Sequence, residues 1–151
     1  MSIEAILAEK GITLPDAPAP AANYVPFAQS GNLIFVSGQI SADENGLITG
    51  KLGENVSVED GAAAARRCGL SLIAQVKAAI GDLDRVARVV KLTGFVNSTP
   101  DFTDQPKVIN GCSDLMVEVF GDAGRHSRAA VSAPSLPFGV AVEIEAVFEV
   151  A

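Results

Sequence analysis

Tryptophan is absent from the 151 residues, and tyrosine and histidine occur once each, as Tyr24 and His126. With aromatics at 5%, a core has to be assembled from Val, Ile, Leu and Ala, which the 48% hydrophobic content can supply. Two cysteines, Cys68 and Cys112, are too few for a disulfide framework. With only one histidine beside them they also make no zinc ligand set, so no metal is expected. Both fall in helical patterns, and two buried free thiols are the expectation. No apolar run approaches the ~20 residues of a membrane helix. The opening MSIEAILAEKG carries acidic residues and lacks the apolar stretch of a secretory signal, so a cytoplasmic location is expected. Basic residues are outnumbered 11 to 18, leaving a net charge of −7. Nucleic-acid binding draws most of its affinity from phosphate neutralisation, so this balance disfavours it. The densest basic cluster, Arg125, His126 and Arg128, is too small for a duplex groove.

The length fits one domain, expected over 1–151, with a helix and Pro-rich arm at 1–22 and a core at 23–151. Ser2 can cap a helix running to Lys10, stopped by Gly11. LPDAPAPAANYVP follows, and its four prolines forbid regular helix or a central strand, so an extended arm is predicted. LIFVSGQI, residues 33–40, reads as a strand. The Asn-Gly of Asp43-Glu44-Asn45-Gly46 predicts a hairpin returning at Leu47 to Thr49. Ser57 followed by Asp60 resembles a capping box and opens a helix to Ile80, with Gly81 as the stop. Ala65, Cys68, Leu72, Val76 and Ile80 form its buried face, and its many alanines suggest close packing.

Val86 to Val96 reads as a strand, and Pro106 to Phe120 as a second helix with Val108, Cys112, Leu115, Met116 and Val119 inward. Arg128 to Ala133 is a short strand and SLPFG a turn. From Val140 to Val150 the chain alternates strictly, with Val140, Val142, Ile144, Ala146, Phe148 and Val150 on one face and Glu143 and Glu145 on the other. The order predicts an α+β fold, a sheet with two main helices on one face. Its other face needs a cover, for which self-association is the simple answer. Glu143 lies fifteen positions after Arg128, so antiparallel pairing of the two strands would bring both to one cleft.

The strand ending SGQ, the arginine of SRAAV and the final LPFGVAVEIEA together resemble the reactive intermediate deaminase (Rid) family, over roughly residues 17–151. That family is also labelled endoribonuclease L-PSP or translation initiation inhibitor. The N-terminal piece matches a longer subgroup. The resemblance implies a chorismate-mutase-like fold with a mixed sheet, assembled as a homotrimeric barrel with sites between subunits. It implies hydrolysis of reactive enamines and imines such as 2-aminoacrylate to 2-keto acids and ammonia, without a cofactor. Arg128 matches the arginine that grips the substrate carboxylate, a task suited to a planar bidentate guanidinium. Glu143 matches the carboxylate that orients water. Tyr24, Ser37, Gly38 and Asn110 match substrate-binding positions. Ser37 has no His-Asp pair to make it a nucleophile.

The sequence departs from the family where many members carry a cysteine two positions after the arginine. Here that position is Ala130, whose backbone alone can serve. GDAGRHSR also differs from the usual approach to the arginine, and brings His126 near the expected mouth. Without the resemblance, Arg128 reads as a surface ion-pair residue and Glu143 as a solvated strand carboxylate. A non-catalytic module that binds a 2-keto acid or similar small carboxylate would use Arg128 equally well, and turnover separates the two. A ribonuclease is the least supported reading, since the chain has no histidine pair and no aromatic-basic platform.

Overall fold

Each helix begins and ends where side-chain chemistry sets it. In the computed structural model, which describes residues 1–19 and 23–151, α1 spans Ile3–Glu9 and the Ser2 side chain accepts from the Ala5 N–H. The long α2, Val58–Ile80, is capped by Ser57 accepting from Asp60 N–H and stops at Gly81. The second long helix, α3, runs Gln105–Phe120 with Pro106 in its first turn, where a missing N–H costs nothing. All of its predicted inward residues are buried. The helices α2 and α3 pack closely: a Cβ at Gly111 would run into the Ala62 carbonyl, so only glycine allows this approach.

The strands are β1 Phe27–Ser30, β2 Leu33–Ile40, β3 Ala42–Asp43, β4 Gly46–Leu47, β5 Val86–Asn97, β6 Ser127–Ala133 and β7 Val142–Val150. Five of them form one sheet in the order β1-β2-β7-β5-β6. Every neighbouring pair is antiparallel except β5 and β6, which are parallel and joined through α3. The sheet is therefore mixed, with α2 and α3 on one face. Val142, Ile144, Ala146, Phe148 and Val150 of β7 point under the helices and are buried, as the alternation predicts. Cys68 and Cys112 are free and buried in the same core. Burial pushes the Cys112 thiol up to about 12 against a small opposing pull from Arg128, and raises Cys68 well above its ordinary value.

The expected hairpin at 43–46 forms as the ribbon β3–β4, with Glu44 and Asn45 at its tip rather than Asn45 and Gly46. It stands apart from β2, whose hairpin partner is β1, across the Gly31-Asn32 turn, because the prolines stop at Pro26 and leave Phe27–Ser30 free to pair. One expectation about strand pairing is corrected: β6 and β7 are not neighbours, because β5 lies between them. The twelve-residue β5 is apolar enough for an interior place in the sheet, while the short β6 is its edge.

The face away from the helices is only partly apolar. Cross-strand register groups Glu143 with Phe95 and Val131, and Phe35 with Val147 and Lys91. Phe35 and Val131 remain 45% and 43% exposed there.

Candidate functional site

β1 begins opposite Val36, so among the described residues Ser37 to Ile40 pair with no strand on their outer side, and a bulge between Val36 and Gln39 bends the chain there. The Pro-rich arm crosses this uncovered edge. Ser37 Oγ donates to the Val25 carbonyl at 2.7 Å and Ser37 N–H to the Pro26 carbonyl at 2.9 Å. Gln75 of α2, itself buried, donates to the Pro18 carbonyl at 2.6 Å. A cavity of about 500 Å³ opens between arm, β2, ribbon and the turn before β7. Tyr24, Ser37, Gly38 and Glu143 all line it. Ser37 thus holds the arm rather than serving as a nucleophile.

The Glu143 carboxylate lies directly over Gly38, where any Cβ would overlap its Oε2. It is half-buried. Loss of water raises its pKa above the ordinary carboxylate value, and the Glu145 carboxylate two residues on adds to the rise. Such a group is a stronger base than a solvated glutamate.

Arg128 stands elsewhere. Its side chain turns to α3, donating from Nη1 to Asn110 Oδ1 at 2.9 Å and Ser113 Oγ at 3.0 Å, and from Nη2 to the Pro106 carbonyl at 3.3 Å. Pro106, Asn110 and Ser113 fall at i, i+4 and i+7, one stripe of the helix. Arg128 forms no ion pair among the described residues, contrary to the surface ion-pair reading. Three of its five donors have partners there, leaving two, enough for one carboxylate.

His126 is held on both sides, not simply exposed. Its Nδ1 lies 2.6 Å from the Gly124 carbonyl, which only accepts, so Nδ1 carries the hydrogen. In the neutral ring Nε2 then accepts from the Ser113 hydroxyl at 2.8 Å, while Ser113 Oγ accepts from Arg128. Ser113 had no part in the sequence-based expectation, although its i+3 spacing from Asn110 was a readable signal. Ala130, two positions after Arg128, pairs with Gly94 and packs its methyl group on the core.

The single cleft expected from strand pairing does not form within one chain. Two strand spacings and three residues of offset separate Arg128 and Glu143 by about 14 Å between Cα atoms. Their side chains also leave opposite faces of the sheet. The residues matched to the family therefore form two groups. Tyr24, Ser37, Gly38 and Glu143 sit at the β2 side, and Arg128, Asn110 and Ala130 at the β6 edge.

Comparison with known proteins agrees with this architecture over nearly the whole chain. The model of the family described as "YjgF/chorismate mutase-like, putative endoribonuclease" matches residues 4–149. Protein TCP17 of Trypanosoma cruzi is 53% identical over 149 residues, covering 97% of this chain and 93% of that protein. The crystal structure of Agrobacterium tumefaciens protein Atu1372, 49% identical, superposes with a TM-score of 0.90 over 99% of this chain and 94% of that one. A Shewanella oneidensis MR-1 protein bearing the same endoribonuclease description is 34% identical, with a TM-score of 0.95 over 99% of this chain and 100% of that one. By its strand motifs, its chorismate-mutase-like mixed sheet and these relatives, the chain belongs to the YjgF/Rid family.

Proposed function

We propose that this protein hydrolyses the C=N bond of small carboxylate-bearing imines, the tautomers of enamines such as 2-aminoacrylate, giving 2-keto acids and ammonia. The observation that carries the reading is the division of the site. An arginine without an acidic partner stands at one side of the sheet, and a carboxylate of raised basicity lines a cavity at the other. Neither group is complete alone. Three copies arranged head to tail would bring the β6 edge of one against the β2 side of the next, forming three identical sites.

In such a site Arg128 grips the substrate carboxylate with its two remaining donors, while Asn110 and Ser113 fix the guanidinium plane. The backbone beside Ala130 borders the imine. Glu143 takes a proton from water as the water oxygen attacks the imine carbon. That proton passes to nitrogen to give the carbinolamine; Glu143 then takes the hydroxyl proton and delivers it to the amino nitrogen as the C–N bond breaks, so that the carbonyl forms and ammonia leaves. Because imines already hydrolyse in water, positioning and one base are sufficient catalytic apparatus. A binding module for 2-keto acids would use the same arginine but has no use for a carboxylate of raised basicity beside it.

The test is complementation. Arg128→Ala and Glu143→Gln are each expected to lose activity. When the two variants are co-expressed and mix freely, roughly a quarter of the sites should pair an intact Arg128 with an intact Glu143. Recovery near that fraction, with a light-scattering mass of three chains, is the expected result. No recovery from verified mixed oligomers would refute the composite site.

A further inference from the structure

2-Aminoacrylate carries one carbon beyond its reacting centre and would leave most of a 500 Å³ cavity empty. The cavity wall is largely apolar away from Glu143. Phe138, 69% exposed, and Leu47, 46% exposed, face it together with Tyr24, Ile40 and Pro137. Large apolar side chains left so open in one chain mark a surface that a ligand or a neighbouring copy covers, and here they line a concave cavity rather than a flat face.

Phe138 carries a second and independent sign. Among the described residues it is the one non-glycine residue with positive φ, at 58°. A phenylalanine in the left-handed region is strained and persists only where its surroundings enforce it. They do so here: Gly139 N–H donates to Leu136 O at 3.0 Å, Val140 N–H to Pro137 O at 3.2 Å, and Gly50 N–H to Gly139 O at 3.0 Å. The ring gains no core packing in return, since it stays exposed. This turn spends its strain on aiming an aromatic ring into the cavity that Glu143 lines.

We propose that the cavity holds a bulky apolar side chain, aromatic or long and branched, on the imine substrate, and that Phe138 and Leu47 determine this specificity. The proposal deepens the imine-hydrolase reading and rests on it for orientation: the carboxylate lies toward Arg128 of a neighbouring copy, the imine carbon near Glu143, the side chain against Phe138. A methyl group in the same place would leave the ring uncovered.

The test compares imines generated in place by an amino-acid oxidase from phenylalanine, leucine and alanine. It also compares equilibrium binding of phenylpyruvate and pyruvate. The assembled full-length protein is used throughout. A phenyl group moved from water onto this wall should favour the phenylalanine-derived imine on the order of 10–100-fold in kcat/KM, with a similar ratio in Kd for the keto acids. Phe138→Gly relieves the backbone strain and removes the ring. Leu47→Ser removes the opposite wall without touching the turn. In each variant both ratios should fall toward one. If none of the three imines is turned over but phenylpyruvate still binds more tightly in a Phe138-dependent manner, the hydrolase reading fails and the apolar pocket stands. Equal affinity for both keto acids in the unmodified protein, or a preference that survives both substitutions, overturns the proposal.

Discussion

Gly38→Ala displaces Glu143 without removing it. A Cβ at position 38 would overlap Glu143 Oε2 and stand 3.0 Å from its Cδ and 3.2 Å from its Cγ. Ordinary contact begins near 3.4 Å, so the carboxylate has to swing away by about an ångström, and a shift of that size in a reacting group can cost ~10²-fold in rate. Stability should change little. The obstructing atoms are the end of a half-buried, flexible side chain, and φ at Gly38 is not in the left-handed region. Alanine also restricts the unfolded chain, worth about 0.4–1 kcal/mol in favour of folding. The net change should stay within about 1 kcal/mol, or roughly 2–4 °C in Tm for a chain of this size. Gly94→Ala is the matched control. Its Cβ would meet Ile109 Cδ1 at 2.5 Å and Cγ1 at 2.6 Å in the sealed core, so overpacking there should cost about 1–3 kcal/mol. Imine hydrolysis and thermal melts on both variants decide the matter. A folded Gly38→Ala protein with normal kcat would show that the place of the Glu143 carboxylate does not matter, and the water-orienting role would be lost with it.

Arg128→Ala should abolish turnover while leaving Tm within a few degrees, and Arg128→Lys should restore little because a point charge lacks the bidentate fork; substantial rescue by lysine would argue against a fork. Ser113→Ala should raise KM several-fold more than it lowers kcat, since it loosens Arg128 and touches no reacting atom; an effect confined to kcat would contradict this. The folded pKa of Glu143 lies above its unfolded value, so the native state holds the proton more tightly, and the contribution to stability falls as pH rises from the ordinary carboxylate range through the folded value. Glu143→Gln should therefore melt higher than the unmodified protein, by a margin that grows through that window and then levels. Melts from pH 4 to 8 test this, with Glu145→Gln as the same-face control for turnover; equal loss from both would point to general electrostatics. Both thiols, buried with raised pKa, should resist an aromatic disulfide reagent in the native state and react only after denaturation.

Local signals were the legible part of the sequence. Ser2 and Ser57 cap the helices, Gly81 and Gly121 end them, and the alternation gives the buried face of β7, although Ala141, read on the other face, precedes the strand and is buried too. Arg128 and Asn110 were each picked out by the family motifs, without a contact between them, and the structure joins them at 2.9 Å. Strand order was not legible, because pairing depends on chain closure over long distances rather than on local pattern. A reading that places sequential strands side by side puts β6 against β7, whereas the crossover through α3 lets β5 take the middle. The brief β1 was hidden by the prolines before it. The strain at Phe138 was hidden because LPFG reads as a turn whatever conformation its third residue adopts.

The central position of β7 has a consequence for how the protein is made. Residues 142–150 are translated after β1 to β6, yet they pair with β2 on one side and β5 on the other. Until they emerge from the ribosome, β2 with β1 and β5 with β6 are two separate pieces, each with an unpaired edge where β7 belongs. Exposed edges of this kind recruit other chains. The interval between synthesis of β5 and synthesis of β7 is therefore the period of greatest aggregation risk. The helices α2, with its many alanines, and α3, which can pack on each other as soon as both are complete, are the elements available to hold the halves together until the last strand arrives.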